Sequence, residues 1–170
     1  MGELADRVDT MHIAVSTPDG GITAELYGRD GLSLTFRDGA YRQFTDETEL
    51  ERRLEALAGR LWVARTREYW RIYGDVTGTD AAGDDPPAGE RDRQWRAERD
   101  ELVVYGSSAY GDVTIRSVGM RGWEVGIRPG TLRALDEWQF AAAAGEAAGE
   151  LIRDQYAKLV ALSSKHYGEE

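Results

Sequence analysis

Residues 16–42 read STPDGGITAELYGRDGLSLTFRDGAYR, and residues 107–133 read SSAYGDVTIRSVGMRGWEVGIRPGTLR. Laid over one another without a gap, at an offset of 91, the two stretches agree at eight of 27 positions. These are Ser16/Ser107, Gly20/Gly111, Thr23/Thr114, Gly28/Gly119, Gly31/Gly122, Arg37/Arg128, Gly39/Gly130 and Arg42/Arg133. Average residue usage gives about two chance matches over such a length. Four of the matches are glycines, which decide where a chain can turn. The stretch is therefore one supersecondary unit used twice.

Working outward, Ile13 and Val15 alternate with Ala14 and Ser16, a short strand by its period of two. Pro18-Asp19-Gly20-Gly21 is turn chemistry. Ile22, Ala24 and Leu26 form the inner face of a second strand, and Leu32, Leu34 and Phe36 that of a third after the turn Gly28-Arg29-Asp30-Gly31. This is an antiparallel meander with one face buried. Thr45 or Asp46 caps the helix that follows, whose stripe is Leu50, Leu54, Leu57, Leu61, Ala64, Glu68 and Ile72, with Gly74 as its stop. The second copy repeats the pattern at Leu102–Tyr105, at Val113 and Ile115, and at Trp123, Val125 and Ile127, with a helix from near Asp136 to about Tyr167.

The pattern predicts an α+β fold of two β-β-β-α repeats, a single-chain pseudo-dimer. Residues 1–74 form the first repeat, 75–90 a linker, and 91–170 the second repeat behind a charged helix. Residues 1–10 read as a charged lead-in or short helical turn. The linker, DVTGTDAAGDDPPAGE, holds almost no large apolar group. The helix at 91–100, RDRQWRAERD, reads as a solvated element anchored by Trp95. A half-exposed three-stranded sheet is a poor independent unit, so the two copies are expected to join into an antiparallel sheet of about six strands with both long helices on one face. The 91-residue offset carries the first stripe onto Ala141, Gly145, Ala148, Ile152, Gln155, Leu159 and Ser163. Large residues of one helix are then expected to pack on small residues of the other.

Composition excludes several classes. Apolar residues make up 41% and charged residues 31%, ordinary for a globular protein. No run approaches 18 apolar residues, so no membrane insertion is expected. The acidic MGELADRVDT lacks the apolar region of a signal peptide. The absence of cysteine removes disulfides and thiolate metal sites and fits a reducing cytoplasm. Only Lys158 and Lys165 are lysines; the arginine bias, with abundant alanine and glycine, fits a GC-rich bacterial genome.

No GxxxxGK[ST], HExxH, GxSxG or EF-hand loop occurs. The glycines at 28 and 31 precede a strand rather than a helix, so they serve a hairpin and not a phosphate. His12 and His166 lack companion ligands, and Ser163 and Ser164 stand too near His166 in sequence for a triad. No catalytic residue, cofactor or metal is assigned. Arginine and aromatic residues interleave on the first long helix, which reads either as arginines pairing with glutamates at i,i+4 while the aromatics fill core gaps, or as the mixture enriched at interface hot spots. Trp62 and Tyr69 lie close to the core stripe, whereas Trp70 is off it. The candidate partner-binding residues are Arg60, Arg65, Arg67, Trp70 and Arg71. Arg37, Arg42, Arg128 and Arg133 recur in both copies and are expected to close the strand-to-helix corner onto carboxylates.

The segments STPDGGITAEL (16–26) and GDVTI (111–115), with the long helix after the third strand, resemble the YbaB/EbfC family of small bacterial nucleoid-associated proteins. The likeness spans 11–73 and 102–167. It implies dimers of an α-βββ-α unit, and divergent actinobacterial relatives, some beside type VII (ESX) secretion genes. The reading is a non-enzymatic cytoplasmic binding protein, an adaptor or chaperone-like accessory acting through protein contacts. The resemblance makes secretion machinery or its substrate a partner. The alternative is a nucleoid-type DNA-binding protein using the arginines of the first long helix. The net charge of −10 disfavours nucleic acid as the partner, since that affinity comes from basic contacts to phosphate.

Overall fold

The repeated positions do repeated work. Gly28 and Gly119 both take positive φ, and both donate their N–H back to the residue before the first strand, Met11 and Leu102, at 2.7 and 2.8 Å. A side chain on Gly28 would collide with the Asp9 carbonyl oxygen at 2.8 Å, and Gly119 faces Asp100 in the same way. The buried hydroxyls of Thr17 and Ser108 accept from Ile22 N–H and Val113 N–H at 3.1 and 3.0 Å, fixing the first hairpin of each copy. Arg37 and Arg128 do not reach the strand-to-helix corner. They clamp that same hairpin, Arg37 through the Asp19 carbonyl and Arg128 through the Asp112 carboxylate and the Tyr110 carbonyl. Arg42 and Arg133 are exposed.

A computed structural model describes residues 2–80 and 83–168. The chain runs α1 (Glu3–Asp9), β1 (His12–Ser16), β2 (Ile22–Tyr27), β3 (Gly31–Phe36), a 3-10 turn (Tyr41–Gln43), α2 (Glu47–Thr77), α3 (Glu90–Asp100), β4 (Val103–Ser107), β5 (Val113–Val118), β6 (Gly122–Ile127), α4 (Thr131–Ala134) and α5 (Glu137–Tyr167). The fold is α+β and contains the two β-β-β-α repeats. Each repeat also has a leading helix, since α1 and α3 end 91 residues apart at Asp9 and Asp100. The charged N-terminal stretch is thus a two-turn helix, and it buries Val8 beside Met11 and Ile72 of α2.

The strands do not join into one sheet of six. They form two antiparallel sheets ordered β1-β2-β3 and β4-β5-β6. The physical reason lies at their edges, which hold unpaired N–H and C=O groups. Along β6, Glu55 accepts from Val125 N–H and Glu51 from Ile127 N–H, at 3.0 and 3.2 Å, and Glu47 accepts from Gly130 N–H at 2.8 Å. Successive i,i+4 glutamates of α2 therefore cap that edge one after another. The other flank of α2 serves β1, where Arg60 donates to the Ser16 carbonyl. Helix α5 lies between the remaining two edges. Asp154 accepts from Tyr105 N–H and Lys158 donates to Val103 O of β4, at 3.0 and 2.9 Å. On its opposite flank an ideal Cβ at Gly145 stands 2.9 Å from the Leu32 carbonyl oxygen of β3. The order around the core is β1-β2-β3, α5, β4-β5-β6, α2. Leu50, Leu54, Leu57 and Leu61 of α2 and Phe140, Ala144, Ala147 and Leu151 of α5 close the core with the inner strand residues.

Three further expectations change. The small residues of α5 do not receive α2; they admit strand backbone. The helix stripes match at an offset of 90, not 91, because one residue is lost in the connector. The caps Asp46 and Asp136 are 90 apart, and buried Leu50, Leu54, Leu57 and Leu61 correspond to buried Phe140, Ala144, Ala147 and Leu151. Helix α2 passes through Gly74 and stops at Gly78, whose φ of 69° suits a left-handed C-terminal glycine.

The edge capping has a measurable consequence. Glu55→Ala is expected to cost about 1–3 kcal/mol, since the buried Val125 N–H loses its acceptor. Hydrogen exchange at the Val125 amide reads this directly. An unchanged rate in the variant would show that the carboxylate does not hold the edge.

A candidate binding cleft between the two long helices

A 31-residue helix is roughly 46 Å long, while a six-residue strand covers only about 20 Å. The C-terminal halves of α2 and α5 therefore overhang the sheets. Between them opens a cleft of about 850 Å³, flanked by α1 and by α3 with the segment leading into it. Its size falls in the range of ligand sites. A smaller chamber of about 420 Å³ adjoins it and shares Arg65, Tyr69, Trp70, Gly83, Arg99, Gln155 and Leu159.

At the offset of 90 that relates the long helices, Arg65 corresponds to Gln155 and Tyr69 to Leu159. All four line both chambers. The cleft is thus built from equivalent positions of the two copies, and the copies differ there in charge and aromaticity.

Five arginines face the larger cleft, and four of them have carboxylates. Arg29 pairs with Asp9, Arg153 with Asp30 at 3.1 Å, Arg96 with Asp92 at 3.1 Å, and Arg99 with Asp100 at 3.0 Å. Arg29 also lies over the Tyr156 ring and Arg99 over the Trp95 ring. Arg65 has no carboxylate within 4 Å among the described residues. Its guanidinium sits over the Trp62 ring at 4.6 Å, and its Nε–H is buried without an acceptor. Burial pulls its pKa below the ordinary arginine value, the expected direction for a desolvated cation. Guanidinium stays protonated in proteins nonetheless, so Arg65 is a half-buried cation whose Nε–H is sealed from water.

The walls are aromatic. Trp70 packs edge-on to Tyr69 at 5.2 Å and to Tyr73 at 5.4 Å, and Gly83 lies flat against its indole with no room for a side chain. Trp95 anchors α3 by donating from Nε1 to Ser163 Oγ at 3.3 Å, with Glu98 bridging to Lys165 and His166 of α5. The charged helix is therefore tied down by its single tryptophan, as its sequence suggests.

Of the sequence-selected residues, Arg65 and Trp70 come together in the cleft, and Arg67 lines only the smaller chamber. Arg60 is directed to the β1 edge, and Arg71 is held by Glu68 and by Asp75 at 3.0 Å. Arg29, Arg96, Arg99, Arg153, Gln155 and Tyr156 were not selected. One signal was available: Gln155, like Ser163 near the helix end, is a polar residue on a stripe of otherwise small and apolar residues.

A separate apolar cavity of about 80 Å³ lies inside the core, lined by residues of both sheets and both helices, Trp62 and Trp123 among them. No protein-family profile, curated protein or solved structure matches the chain.

Proposed function

We propose that this chain is a non-enzymatic binding protein, an adaptor or chaperone-like accessory that holds a segment of a partner protein in the cleft between α2 and α5. The observation that carries the reading is Arg65, a half-buried cation with a buried, unpartnered Nε–H and no carboxylate partner among the described residues, in a cleft walled by Tyr69, Trp70, Trp95 and Tyr156. Arginine and aromatic side chains are the groups that dominate protein recognition energetics. The secretion partner implied by the YbaB/EbfC resemblance is one source of such a segment. The arginines that would carry the nucleic-acid alternative are largely spent within the chain, Arg53 on Asp19 and Glu49, Arg60 on β1 and Arg71 on Glu68.

Selection from a displayed random-peptide library tests this. The expected result is enrichment of peptides that a Trp70→Ala variant of the same fold no longer retains. No enrichment, together with tight duplex DNA binding that falls steeply with salt, would transfer the function to nucleic acid.

A further inference from the structure

We infer that Arg65 is a carboxylate-binding subsite: its guanidinium, backed by the Trp62 ring and sharing the cleft with Gln155, receives the carboxylate of one acidic side chain of the bound segment. This rests on the reading of the cleft as a segment-binding site.

The argument begins with charge. A cation that loses part of its hydration, with one N–H sealed from water and unpartnered, is costly unless an anion and hydrogen bonds offset the loss. The other four cleft arginines obtain that anion from within the chain, and Arg65 does not among the described residues. One unmatched guanidinium in the larger cleft suits one unit of negative charge. A carboxylate supplies that, whereas a phosphate monoester brings about −1.5 to −2 and a nucleic-acid strand one charge per phosphate.

Geometry points the same way. The Trp62 ring backs the guanidinium, its centroid 4.6 Å from the central carbon. A planar guanidinium fork is the form that meets a carboxylate bidentately. Gln155, which lines the same two chambers, carries an amide that donates as well as accepts. The second copy has no arginine at this position, so the cleft gains no second cation there. The joined chain sets a neutral donor there instead, so a single carboxylate satisfies the site.

The test uses the whole chain with ¹⁵N in its arginine side chains, so that the Arg65 Nε–H signal is followed directly. The probes are acetyl-Trp-Glu-Trp-amide, its Gln counterpart, sodium propionate and sodium phosphate at constant ionic strength. The expected result is a saturable Arg65 shift with the Glu peptide, weaker with the Gln peptide by about ten- to a hundredfold, the worth of a charged hydrogen bond. Propionate is expected to shift the same signal and phosphate to do so less. Arg65→Gln is expected to lose the preference for Glu over Gln, read at the Trp62 indole, while Arg67→Gln keeps it. Equal affinity for the two peptides, or an Arg65→Gln variant that still prefers Glu, overturns the subsite. Saturable propionate binding at Arg65 with neither peptide bound keeps the subsite and removes the segment-binding reading. No response of Arg65 to any carboxylate probe overturns the subsite.

Discussion

Gly106→Val is expected to yield no folded protein at room temperature, and even Gly106→Ala is expected to lose more than about 4 kcal/mol, beyond the usual range for single substitutions. Gly106 lies in β4, where α5 comes closest to a strand. A Cβ at this position would run into the Ala147 carbonyl oxygen and stand 2.5 Å from Leu151 N and 2.9 Å from Leu151 Cβ. Two of these three atoms are backbone, so no rotamer change relieves the contact. Helix α5 must move outward, and that breaks the Asp154 to Tyr105 N–H and Lys158 to Val103 O bonds that cover the β4 edge. Movement the other way is blocked, since Gly145 already places α5 against the Leu32 carbonyl of β3. Overpacking usually costs about 1–3 kcal/mol because neighbours yield. Here the neighbour is a helix wedged between two strands, and the whole stability of a domain is only about 5–15 kcal/mol. Urea unfolding of the Gly106→Ala variant decides the matter, and a midpoint within error of the parent chain would contradict the wedge. Val15, the counterpart of Gly106 at the 91-residue offset, shows that a β-branched residue is accommodated in β1, where α2 stands further off.

The wedge also explains what was legible in the sequence. Strands, turns and the repeat were readable because they rest on local signals: alternation in Ile22–Leu26 and Leu32–Phe36, and glycines that readily take the positive φ at 28 and 119. The sheet edges were not. Two open edges of matched length suggest pairing, and nothing local in Glu47, Glu51 and Glu55 distinguishes carboxylates that cap an edge from carboxylates on a wet helix face. Their four-residue spacing beside the leucine stripe is the trace they leave. The cleft was half legible for the same reason. Arg60, Arg65 and Arg71 have the same residue type on one helix; a tertiary neighbour sets Arg60 apart, while the partners of the other two lie three residues away on α2 itself. Arg60 finds the Ser16 carbonyl, Arg71 finds Glu68, and Arg65 finds Trp62. Arg29, Arg96 and Arg153 reach the cleft from the β2–β3 turn, α3 and α5, separations that a reading along the chain does not bridge.

Phe140→Ala is expected to cost about 3–5 kcal/mol, as for other buried aromatic residues cut to alanine. Phe140 is fully buried, packing against Phe36 at 6.0 Å and Tyr41 at 5.6 Å between ring centroids. Tyr41 in turn donates its hydroxyl to the Leu135 carbonyl at 2.8 Å, tying the connector of one copy to that of the other. The substitution also tests the register. At an offset of 90 Phe140 is the counterpart of Leu50, also fully buried, whereas an offset of 91 would put half-buried Ala141 in that role. Phe140→Leu copies the residue of the first repeat and is therefore expected to cost less than about 1.5 kcal/mol. Thermal melts of the two variants separate the cases; a Phe140→Ala chain melting with the parent would mean that this aromatic cluster does not hold the two connectors. Phe140 stands near the N-terminal end of α5, at the opposite end of the helix from Gln155 and Leu159. Its loss should lower the melting temperature while leaving the cleft's affinity for acetyl-Trp-Glu-Trp-amide unchanged in the folded fraction. Arg65→Gln should do the reverse, because the core end of these helices carries stability and the overhanging end carries binding.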